Sequence, residues 1–531
     1  MGLRGAGRLA PPPVVWGRSR VWLPSAAEAE ALDRAARELH GIPARVLMEN
    51  AGRSAALLVQ LLYPAGPVVA AVGSGNNGGD ALVLLRNLRA WGREVAWVQA
   101  GSEAPASAVG HSFELPRVDF SDAAFASASV LVDGILGTGS RGAPRGRAPA
   151  AIEALNRSGR PVVALDLPSG VDPDRGELPG QTEGASPEAV AVRADLTICF
   201  GWPKRGLLRP PGRSHCGRLL AIEIGFPPVR DVAGAEAITP AWALARLPPR
   251  RYGAHKYEVG SLLVCAGRLD MAGAAVLAAR SAVRAGTGLV RVISAQENRS
   301  VIQEAVPDAL FVPREDERAV REAARGSDAL LAGPGMGTSV ADGELLGWLF
   351  EETGDLPTVL DADALTLIGG DGDLRAAAFA RPLVLTPHPG EFGRLWSGGS
   401  EAARGDPVLA AREFVDRNGG TLLLKGSPSV VATAGQPVRI DAGASSDFAK
   451  AGMGDHLAGL TGGLLAQGAA PADAAAAALG LSALAAAQLN YARALSPADL
   501  AEEVARIVAG PAPESYDPPF PFVVFDQPPP R

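Results

Sequence analysis

The first half of the chain alternates short apolar runs with stretches of helical periodicity. GPVVAAVG, EVAWVQA, SVLVDGILG and PVVALDLPSG predict buried strands, while DALVLLRNLRAWG and PAAIEALNRSG predict helices. A helical stretch over residues 25–62 precedes them, with Ser25 as its N-cap and Glu28 three residues later. Strands that alternate with helices of this length are typical of a parallel sheet covered by helices on both faces.

A second alternation begins near residue 255. GSLLVCAG, GLVRVIS, ALLAGPG, PTVLDADAL, PLVLTPHPGE and GGTLLLKG predict strands, GAAVLAARSAVRAG predicts a helix, and the Ala-rich last third predicts long helices. Residues 225–239 show neither period and predict a linker. The halves share no obvious repeat, so we predict two different α/β domains, over 25–230 and 240–510. Residues 1–24 are predicted to be a disordered tail and residues 511–531 a Pro-rich tail.

Composition limits the compartment and the partners of the protein. The formal net charge of −7 argues against nucleic acid or an anionic membrane as a partner. The three cysteines, Cys199, Cys216 and Cys265, are widely spaced, which predicts a reducing compartment, here the cytoplasm, with neither a disulfide framework nor a zinc cluster. The sequence contains no run of about 18 uninterrupted apolar residues, and it therefore predicts no membrane span.

Polar residues follow three predicted strands of the first half. GSGNNGGD (73–80) is neither a Walker loop nor a regular Gly-x-Gly-x-x-Gly, and its amides suit a cation or phosphate and sugar oxygens. Alternatively, it is a Gly/Asn turn with Asp80 capping the next helix. Asp133 and Asp166 stand at two further strand ends, each beside a glycine-containing loop. Because functional loops lie at the carboxyl ends of parallel strands, we expect all three at one rim.

The motifs LMENAG, NNGGD, VDGILGTG and DLPSGVD occur in the order found in the NAD(P)H-hydrate epimerase family, which residues 25–225 resemble. The resemblance implies a Rossmann-like domain that interconverts the R and S hydrates of NADH and NADPH. It also implies a potassium ion held by Asn77, Asp133 and Ser169. Asp166 would contact the hydrated nicotinamide and transfer a proton. Lys204 matches a lysine often found in the family, or is a surface lysine near a turn. The implied substrate-binding residues are Asn76, Asn77, Gly78, Gly79, Asp80, Gly137, Thr138, Gly139, Ser140, Arg141, Gly142, Ala143 and Asp166.

The second half carries GPGMG, DADAL, TPHPGEF, LKG and AGMGDHLAG at strand ends. In the last of these, a helix N-terminus beside a carboxylate could hold a phosphate and bring Asp455 to a leaving or attacking oxygen. Alternatively, the glycines form a turn and Asp455 is a first-turn aspartate. His388, between two prolines, could bind phosphate or a ring edge, or be structural. Asp361 and Asp363 could bind magnesium, or one of them could cap a helix.

These motifs, with HKYEVGSLLVCAG and DMAGAAVLAARSAVRAGTGLV, resemble the ribokinase-like NAD(P)H-hydrate dehydratase family over residues 250–490. The resemblance implies a bifunctional isomerase and lyase that uses ADP to remove water from the S hydrate, with magnesium possible. Gly337, His388 and Asp455 would contact the hydrate, NADHX or NADPHX, and Asp455 would transfer the proton that lets hydroxide leave as water. The implied ADP-binding residues are Lys425, Gly426, Ser427, Pro428, Ser429, Ser445, Ser446, Asp447, Phe448, Ala449, Lys450, Ala451, Gly452, Met453 and Gly454.

The stretch before Asp455 departs from the family pattern, in which an Asn, a Gly and a Thr become Ala444, Asp447 and Met453. Asp447 adds a negative charge near a proposed nucleotide phosphate, which is unfavourable unless it points away or meets a cation. Two other functions stay open: an ATP-dependent small-molecule kinase of the ribokinase superfamily, and a nucleotide-binding sensor without turnover. The family also implies a homo-oligomer.

Overall fold

The computed structural model describes residues 21–105, 115–180, 190–227, 234–443 and 445–510, together with the backbone of 522–524. The chain divides into two compact units, with the boundary between Gly234 and Ala235. Strand 522–524 belongs to the first unit.

The first unit is built on a mainly parallel sheet. Its strands are β2 (Val68–Val72), β3 (Val95–Gln99), β4 (Arg117–Val118), β5 (Val130–Gly134), β6 (Val162–Leu165), β7 (Leu196–Phe200) and β8 (Arg218–Ile222). The unit also contains the short strand β1 (Val21–Trp22), which is not part of this sheet. Its helices are α1 (Ala26–Glu38), α2 (Ala44–Leu62), α3 (Asn76–Ala90), α4 (Asp122–Ala126) and α5 (Ala148–Arg157). The sheet order is β8-β7-β6-β5-β2-β3-β4, with every pair parallel, and strand Phe522–Val524 runs antiparallel to β8. Every residue of β2, β5 and β6 is buried, as expected for a parallel sheet covered on both faces.

The second unit has a longer sheet, which is also mainly parallel. Its strands are β9 (Ala235–Ile238), β10 (Ser261–Cys265), β11 (Leu289–Ser294), β12 (Ala309–Pro313), β13 (Ala329–Ala332), β14 (Thr358–Leu360), β15 (Leu383–Leu385), β16 (Thr421–Leu424), β17 (Val430–Thr433) and β18 (Val438–Asp441). They lie in the order β9-β18-β17-β16-β15-β14-β13-β10-β11-β12, and β17 is antiparallel to both of its neighbours.

Thirteen helices between Ala235 and Gly510 accompany that sheet. They are α6 (Pro240–Leu244), α7 (Ala272–Arg284), α8 (Arg299–Ala305), α9 (Glu317–Arg325), α10 (Val340–Thr353), α11 (Ala362–Gly370), α12 (Gly372–Phe379), α13 (Pro389–Leu395), α14 (Gly399–Gly405), α15 (Pro407–Asn418), α16 (Met453–Ala466), α17 (Pro471–Leu489) and α18 (Pro497–Ala509). The core of the unit is rich in alanine, since α7, α16 and α17 pack small side chains against one another and against the sheet. The α/β class and the two-domain organisation predicted from the sequence are confirmed.

α17 is the one described helix that is long and apolar enough to cross a membrane. However, 67% of its most apolar window is buried inside the unit, which is typical of a core helix.

The predicted helix over 25–62 is two helices, α1 and α2. Gly41 adopts φ +65°, and Pro43 precedes α2 as its N-cap, so the chain turns between them. The predicted capping box at Ser25 is present, since Ser25 Oγ accepts from Glu28 N and Glu28 Oε2 accepts from Ser25 N.

The predicted segments at the chain ends and in the linker differ from the structure at three points. The predicted tail 1–24 extends too far, because Val21, Trp22 and Leu23 are buried; residues 1–20 lie outside the described residues. The linker 225–239 contains β9, which gains its backbone partners from β18. The C-terminal tail contains strand 522–524, which pairs with β8. The rest of 511–531 and residues 228–233 of the linker lie outside the described residues. These strands are too short for their periodicity to be recognised, and distant strands supply their pairing.

Candidate active sites

The polar loops of the first unit meet where the strand order of its sheet reverses. From β2 the chain builds β3 and β4 on one side, then returns to place β5 to β8 on the other. A reversal of this kind leaves a crevice beyond the carboxyl ends of the two central strands. The loops after β2 and β5 join there, since Gly73 N donates to Gly134 O at 2.9 Å.

An open cavity of ≈1490 Å³ lies over this crevice. Its walls come from the loops after β2, β5, β6 and β7 and from α1 and α2. The predicted residues that line it are Asn76, Asn77, Asp80, Gly137, Thr138, Gly139, Ser140, Arg141, Asp166 and Lys204. Gly78, Gly79, Gly142, Ala143, Asp133 and Ser169 do not line it.

The predicted loop 73–80 is shorter than expected, because α3 begins at Asn76. Gly75 is its N-cap and makes no side-chain cap bond, so the alternative in which Asp80 caps the helix is wrong. Asn76 to Asp80 therefore occupy the first turn and a half of α3. Gly78 must be a glycine, because a Cβ atom there would lie 2.1 Å from Gly73 O.

Asp166 carries the most strongly constrained carboxylate of the cavity. Its φ of +65° places it in the left-handed region that only Asn, Asp and Gly visit readily. Its Oδ1 lies 2.5 Å from Lys204 Nζ, and its Oδ2 accepts from Thr138 Oγ1 at 2.6 Å and Thr138 N at 3.2 Å. Burial acts to raise the pKa of Asp166, but Lys204 and Thr138 outweigh it and hold that pKa below its usual value.

Lys204 is not a surface lysine. Its side chain is 5% exposed and its ammonium faces Asp166. Residues 201–204 follow β7, the strand beside β6, which explains why the lysine reaches the carboxylate that ends β6. The surface alternative for Lys204 is therefore wrong.

Asp80 has the opposite electrostatic environment from Asp166. Burial, followed by the negative charges of Asp166 and Asp33, raises the pKa of Asp80 well above its usual value. Asp33, on α1, also lines the cavity, and the sequence analysis did not single it out. The local sequence around an aspartate on an amphipathic helix does not show that it lines a cavity, because its position relative to the cavity depends on how α1 packs.

Asn77, Asp133 and Ser169, the predicted potassium ligands, form a hydrogen-bonded group below the cavity loops. Asp133 Oδ1 accepts from Ser169 Oγ at 2.6 Å, and Asp133 Oδ2 accepts from Ser169 N at 2.8 Å. Asn77 Nδ2 donates to Leu136 O at 2.8 Å, and Ser169 Oγ accepts from Leu136 N at 2.8 Å, so both reach the same loop residue. Burial raises the pKa of Asp133 to about 6, although the bonds from Ser169 and Ile135 act to lower it.

The side-chain oxygen of Asn77 is buried but has no hydrogen-bond partner among the described residues. A buried acceptor without a donor is costly, and most such atoms in folded proteins have a partner. Asn77 Oδ1 is therefore an oxygen atom available to an additional ligand.

Four neighbouring parallel strands of the second unit deliver its predicted site residues to one sheet edge. β13, β14, β15 and β16 lie side by side. They are followed by the loop 333–337, by Asp361, by the loop 386–388 and by Lys425. The first turn of α16, with Asp455, reaches this edge, since a Cβ atom on Gly454 would lie 3.3 Å from Lys425 Nζ and 3.6 Å from Asp361 Oδ2.

Lys425 forms the centre of a charged cluster. Its Nζ lies 2.7 Å from Asp361 Oδ1 and 3.9 Å from Glu391 Oε2. Burial acts to lower the pKa of Lys425, but Asp361 and Glu391 raise it, so the ammonium stays charged. The lysine predicted to contact ADP is thus already paired within the protein.

Asp361 and Asp363 do not form an open pair of metal ligands. Asp361 is the N-cap residue of α11, yet its side chain makes no cap bond and faces Lys425 instead. Asp363 Oδ2 accepts from Gly337 N at 2.8 Å. The predicted capping role of this pair is therefore wrong for Asp361, and the two carboxylates serve different partners.

Gly337 is held tightly by its neighbours. Its N–H is donated to Asp363, and a Cβ atom on it would lie 2.4 Å from Asp342 Oδ2. Any contact of Gly337 with a ligand would therefore use its Cα or carbonyl.

His388 has a structural role that the sequence left open. It is the N-cap of α13, and its Nδ1 accepts from Gly390 N at 3.0 Å. Glu391 Oε2 accepts in return from His388 N at 2.9 Å, which completes a capping box. Because Nδ1 accepts a hydrogen bond, the proton of the neutral ring is on Nε2, which lies 3.4 Å from Glu391 Oε1. The side chain of His388 is 54% exposed. Glu391, which the sequence analysis did not single out, follows His388 at the spacing of a capping box.

Asp455 stands in the first turn of α16, and its neighbour His456 anchors that helix. His456 is buried between Ser281 Oγ at 2.8 Å and Ser482 Oγ at 3.1 Å. Burial, followed by the charge of Asp361, raises the pKa of Asp455 to about 6, while Lys425 opposes this rise. A carboxyl group with such a pKa is suited to proton transfer near neutral pH.

The predicted nucleotide segments flank this cluster. Lys425, Gly426, Ser427, Pro428 and Ser429 join β16 to β17, and Ser429 Oγ accepts from Gly426 N. In the segment 445–454, Ser445 Oγ accepts from Asp447 N, and Lys450 Nζ donates to Leu495 O. Gly452, at φ +84°, leads into α16, while Ala444 lies outside the described residues.

Comparison with known proteins identifies the family. Residues 44–206 match the family described as YjeF-related protein N-terminus, and residues 262–508 match the family described as NAD(P)H-hydrate dehydratase. A bifunctional NAD(P)H-hydrate repair enzyme Nnr from Salinibacter ruber is 35% identical, over 91% of this chain and 96% of that protein. This chain belongs to the family of bifunctional NAD(P)H-hydrate repair enzymes.

Other relatives give the same result. Proteins of the same name from Gloeobacter violaceus and Pyrobaculum aerophilum are 35% and 34% identical, over 84% and 91% of this chain and 89% and 97% of their own lengths. Among solved structures, an ADP/ATP-dependent NAD(P)H-hydrate dehydratase from Bacillus subtilis is 27% identical, covers 51% of this chain and 96% of its own, and has a TM-score of 0.43. The epimerase and dehydratase resemblances of the two halves are confirmed, as is the classification as an isomerase and lyase.

Proposed function

We propose that the cavity of the first unit binds hydrated NADH or NADPH and epimerises it at Asp166. The observation that carries this proposal is the ion pair between Asp166 and Lys204 in the wall of the ≈1490 Å³ cavity. Pockets for drug-sized ligands measure roughly 300–1,000 Å³, so this one has room for a dinucleotide. The ionised carboxylate is suited to accept a proton from the hydroxyl of the hydrated ring, because Lys204 stabilises its charge.

Epimerisation at a carbon that bears both a hydroxyl group and the ring nitrogen requires reversible cleavage of the C–O or the C–N bond. Either route moves one proton on and off the substrate. The carboxylate of Asp166 has a fixed orientation for that transfer, because Lys204 binds its Oδ1 and Thr138 binds its Oδ2. Thr138 also places the loop 137–141 beside the carboxylate, so the proposed substrate loop and the proton-transfer group are ordered together.

We propose further that the second unit removes water from the S hydrate at Asp455 with ADP. The N-terminus of α16 presents backbone N–H groups and a positive dipole end, which favour a phosphate. Segments 425–429 and 445–454 border it and would hold the nucleotide. Asp455 would donate the proton with which the hydroxyl leaves as water when the C–O bond breaks, and its pKa of about 6 supports this role. The neighbouring ring carbon then loses a proton, to the Asp455 carboxylate or to water, and the C–H electron pair forms the restored C=C bond.

The test is recovery of reduced-nicotinamide absorbance from an equal mixture of R and S hydrates. With ADP we expect complete recovery, because the epimerase feeds R hydrate into the dehydratase; without ADP we expect none. A recovery of about half would show that the first site is inactive. Phosphorylation of a vitamin or sugar alcohol by ATP, without hydrate turnover, would instead establish the kinase, and binding of nucleotide without any turnover would establish the sensor.

The oxygen atoms beside the first cavity fit a potassium ion. Asn77 Oδ1 is a buried acceptor without a hydrogen-bond donor, and Asp133 and Ser169 add a carboxylate and a hydroxyl oxygen nearby. Hard oxygen ligands of this type suit alkali and alkaline-earth cations. We propose that these three residues hold potassium, which when bound supplies a fixed positive charge that orders the loops after β5 and β6.

Replacement of Asn77 tests this site. We expect potassium chloride, compared with choline chloride, to raise the thermal unfolding midpoint of the first unit, since an ion that binds only the folded state stabilises it. Asn77→Leu should remove this rise. Asn76→Leu, which changes the exposed neighbouring amide, should keep it. An equal rise in wild type and in Asn77→Leu would exclude Asn77 as a ligand.

We also propose that the enzyme works in the cytoplasm. Cys199, Cys216 and Cys265 are all free and buried, which suits a reducing compartment. Fractionation of cells that express the full chain, followed by assay of both activities, tests this, and recovery in an extracytoplasmic fraction would contradict it.

A further inference from the structure

One ammonium group in the second unit is surrounded by three carboxylates. Lys425 Nζ contacts Asp361 Oδ1 at 2.7 Å and Glu391 Oε2 at 3.9 Å. The positions of Lys425 and Asp361 against the Gly454 backbone bring both close to Asp455. Three acidic groups around one lysine repel one another unless one of them holds a proton.

The contacts show which carboxyl group is left to hold that proton. Asp361 has the short ion pair with Lys425, and its side chain is 2% exposed. Glu391 accepts from His388 N and also faces His388 Nε2. Asp455 lies near Asp361 and Lys425 but outside their ion pair, so its burial, followed by the negative charge of Asp361, favours its protonated form.

Gly454 explains how the pair approaches the helix. A Cβ atom at this position would lie within 3.6 Å of both Lys425 Nζ and Asp361 Oδ2. The distance to Lys425 Nζ is slightly shorter than an ordinary contact, and the distance to Asp361 Oδ2 is an ordinary contact. The ion pair therefore lies directly against the residue before Asp455, where its charges act at short range.

We propose that Asp361 is a positioning residue for the second reaction: with Lys425 it sets how readily Asp455 gives up its proton. This inference rests on the proposed role of Asp455. Asp361 need not touch the substrate, since it acts through the charge that it places beside Asp455 and through the position in which it holds Lys425. Among the described residues, the charged and titratable groups near Asp455 are Asp361, Glu391 and Lys425 at the sheet edge, and Asp447, Lys450 and His456 on its own stretch of chain.

The pH dependence of kcat for dehydration, at saturating S hydrate and ADP, tests this role. If Asp455 must be protonated, kcat falls as the pH rises through its pKa. Asp361→Asn keeps an oxygen acceptor for Lys425 but removes a negative charge, so we expect the midpoint of this fall to move down by about one pH unit. Lys425→Gln keeps an N–H donor but removes a positive charge, so its midpoint should move up.

Asp363→Asn is the matched control. It removes a carboxylate from the same helix, two residues away, which binds Gly337 N rather than Lys425. Its midpoint should stay at the wild-type pH, whatever happens to its KM. If Asp361→Asn does not fold, the opposite shift in Lys425→Gln still decides the question.

The outcomes separate this inference from the proposed function. If Asp455→Asn loses dehydration but the midpoints of Asp361→Asn and Lys425→Gln match wild type, the role of Asp361 is overturned and that of Asp455 stands. If Asp455→Asn dehydrates at the wild-type rate, the proposed site itself is wrong. Shifts in opposite directions, with the control unmoved, support the inference.

Discussion

Lys204, not burial, decides the charge of Asp166. Burial alone would favour the neutral acid, yet the ammonium 2.5 Å away and two bonds from Thr138 favour the carboxylate. Asp80 in the same cavity lacks such a cation and has its pKa raised. One cavity thus holds two aspartates whose environments move their pKa values apart, a pattern typical of acid and base roles.

Removal of the lysine charge should change the pH profile of epimerisation. Lys204 lowers the pKa of Asp166, so Lys204→Met raises it, and the acidic limb of kcat/KM should move to higher pH by about one unit or more. Lys204→Arg keeps the charge and should leave the limb in place. Rates of epimerisation followed from pH 4 to 9 measure both, and an unmoved limb in Lys204→Met would show that Lys204 does not control Asp166.

The sequence could indicate which strand ends carry these residues, but not which residues they contact. Asp133 and Asp166 follow buried apolar runs, and this local pattern is enough to place them at strand ends. The pairing of Lys204 with Asp166 depends on β7 lying beside β6, across 38 residues of chain. The same holds for Lys425 and Asp361, which are 64 residues apart. Contacts of this kind follow from topology, and the orphaned Asn77 oxygen is visible only once the surrounding atoms are placed.

At the scale of elements, α2 and α3 pack so closely that one side chain is excluded. A Cβ atom on Gly52 of α2 would lie 2.6 Å from Val83 Cβ and 2.7 Å from Asp80 O, both on α3. Because α3 carries Asn77 and Asp80, this contact also positions one wall of the first cavity.

Gly52→Ala should therefore destabilise the first unit by about 1–3 kcal/mol through overpacking and reduce epimerisation. Gly273→Ala is the control: Gly273 lies in α7, a Cβ atom there meets nothing within 4 Å, and alanine favours the helix by roughly 1 kcal/mol. Thermal inactivation, followed separately through the two activities, measures the effect. We expect Gly52→Ala to lose epimerisation at a lower temperature while dehydration keeps its wild-type profile.

The elements themselves were largely predictable, and the exceptions have physical causes. Long alternating segments such as 66–100 and 260–294 gave the right element types because burial on both sheet faces makes their strands continuously apolar. α3 begins earlier than predicted, since the glycines of NNGGD were taken for a loop whereas they permit close packing of the first turn. β9 and strand 522–524 form because a distant edge strand pairs with them.

At the scale of the whole molecule, the same solution occurs twice. Each unit has a mainly parallel sheet whose strand order reverses, at β2 and β5 in the first and at β10 and β13 in the second. Each gathers its polar loops at the carboxyl edge of the strands, as expected for α/β folds. At each edge an aspartate lies beside a lysine: Asp166 is paired with the buried Lys204, and Asp455 lies near the partly buried Lys425. We therefore assign one reaction to each unit.

The most direct test of this assignment uses two variants of the full chain. Asp166→Asn keeps a residue that tolerates φ +65°, and Asp455→Asn keeps the shape of the carboxyl group. Each is given ADP and an equal mixture of R and S hydrates, and in a second assay pure S hydrate, and both the restored nicotinamide absorbance and the remaining epimers are measured. We predict about half recovery with R hydrate left over for Asp166→Asn. For Asp455→Asn we predict no recovery, but continued conversion of pure S hydrate into R hydrate. Loss of both activities together in either folded variant would contradict the assignment of one reaction to each unit.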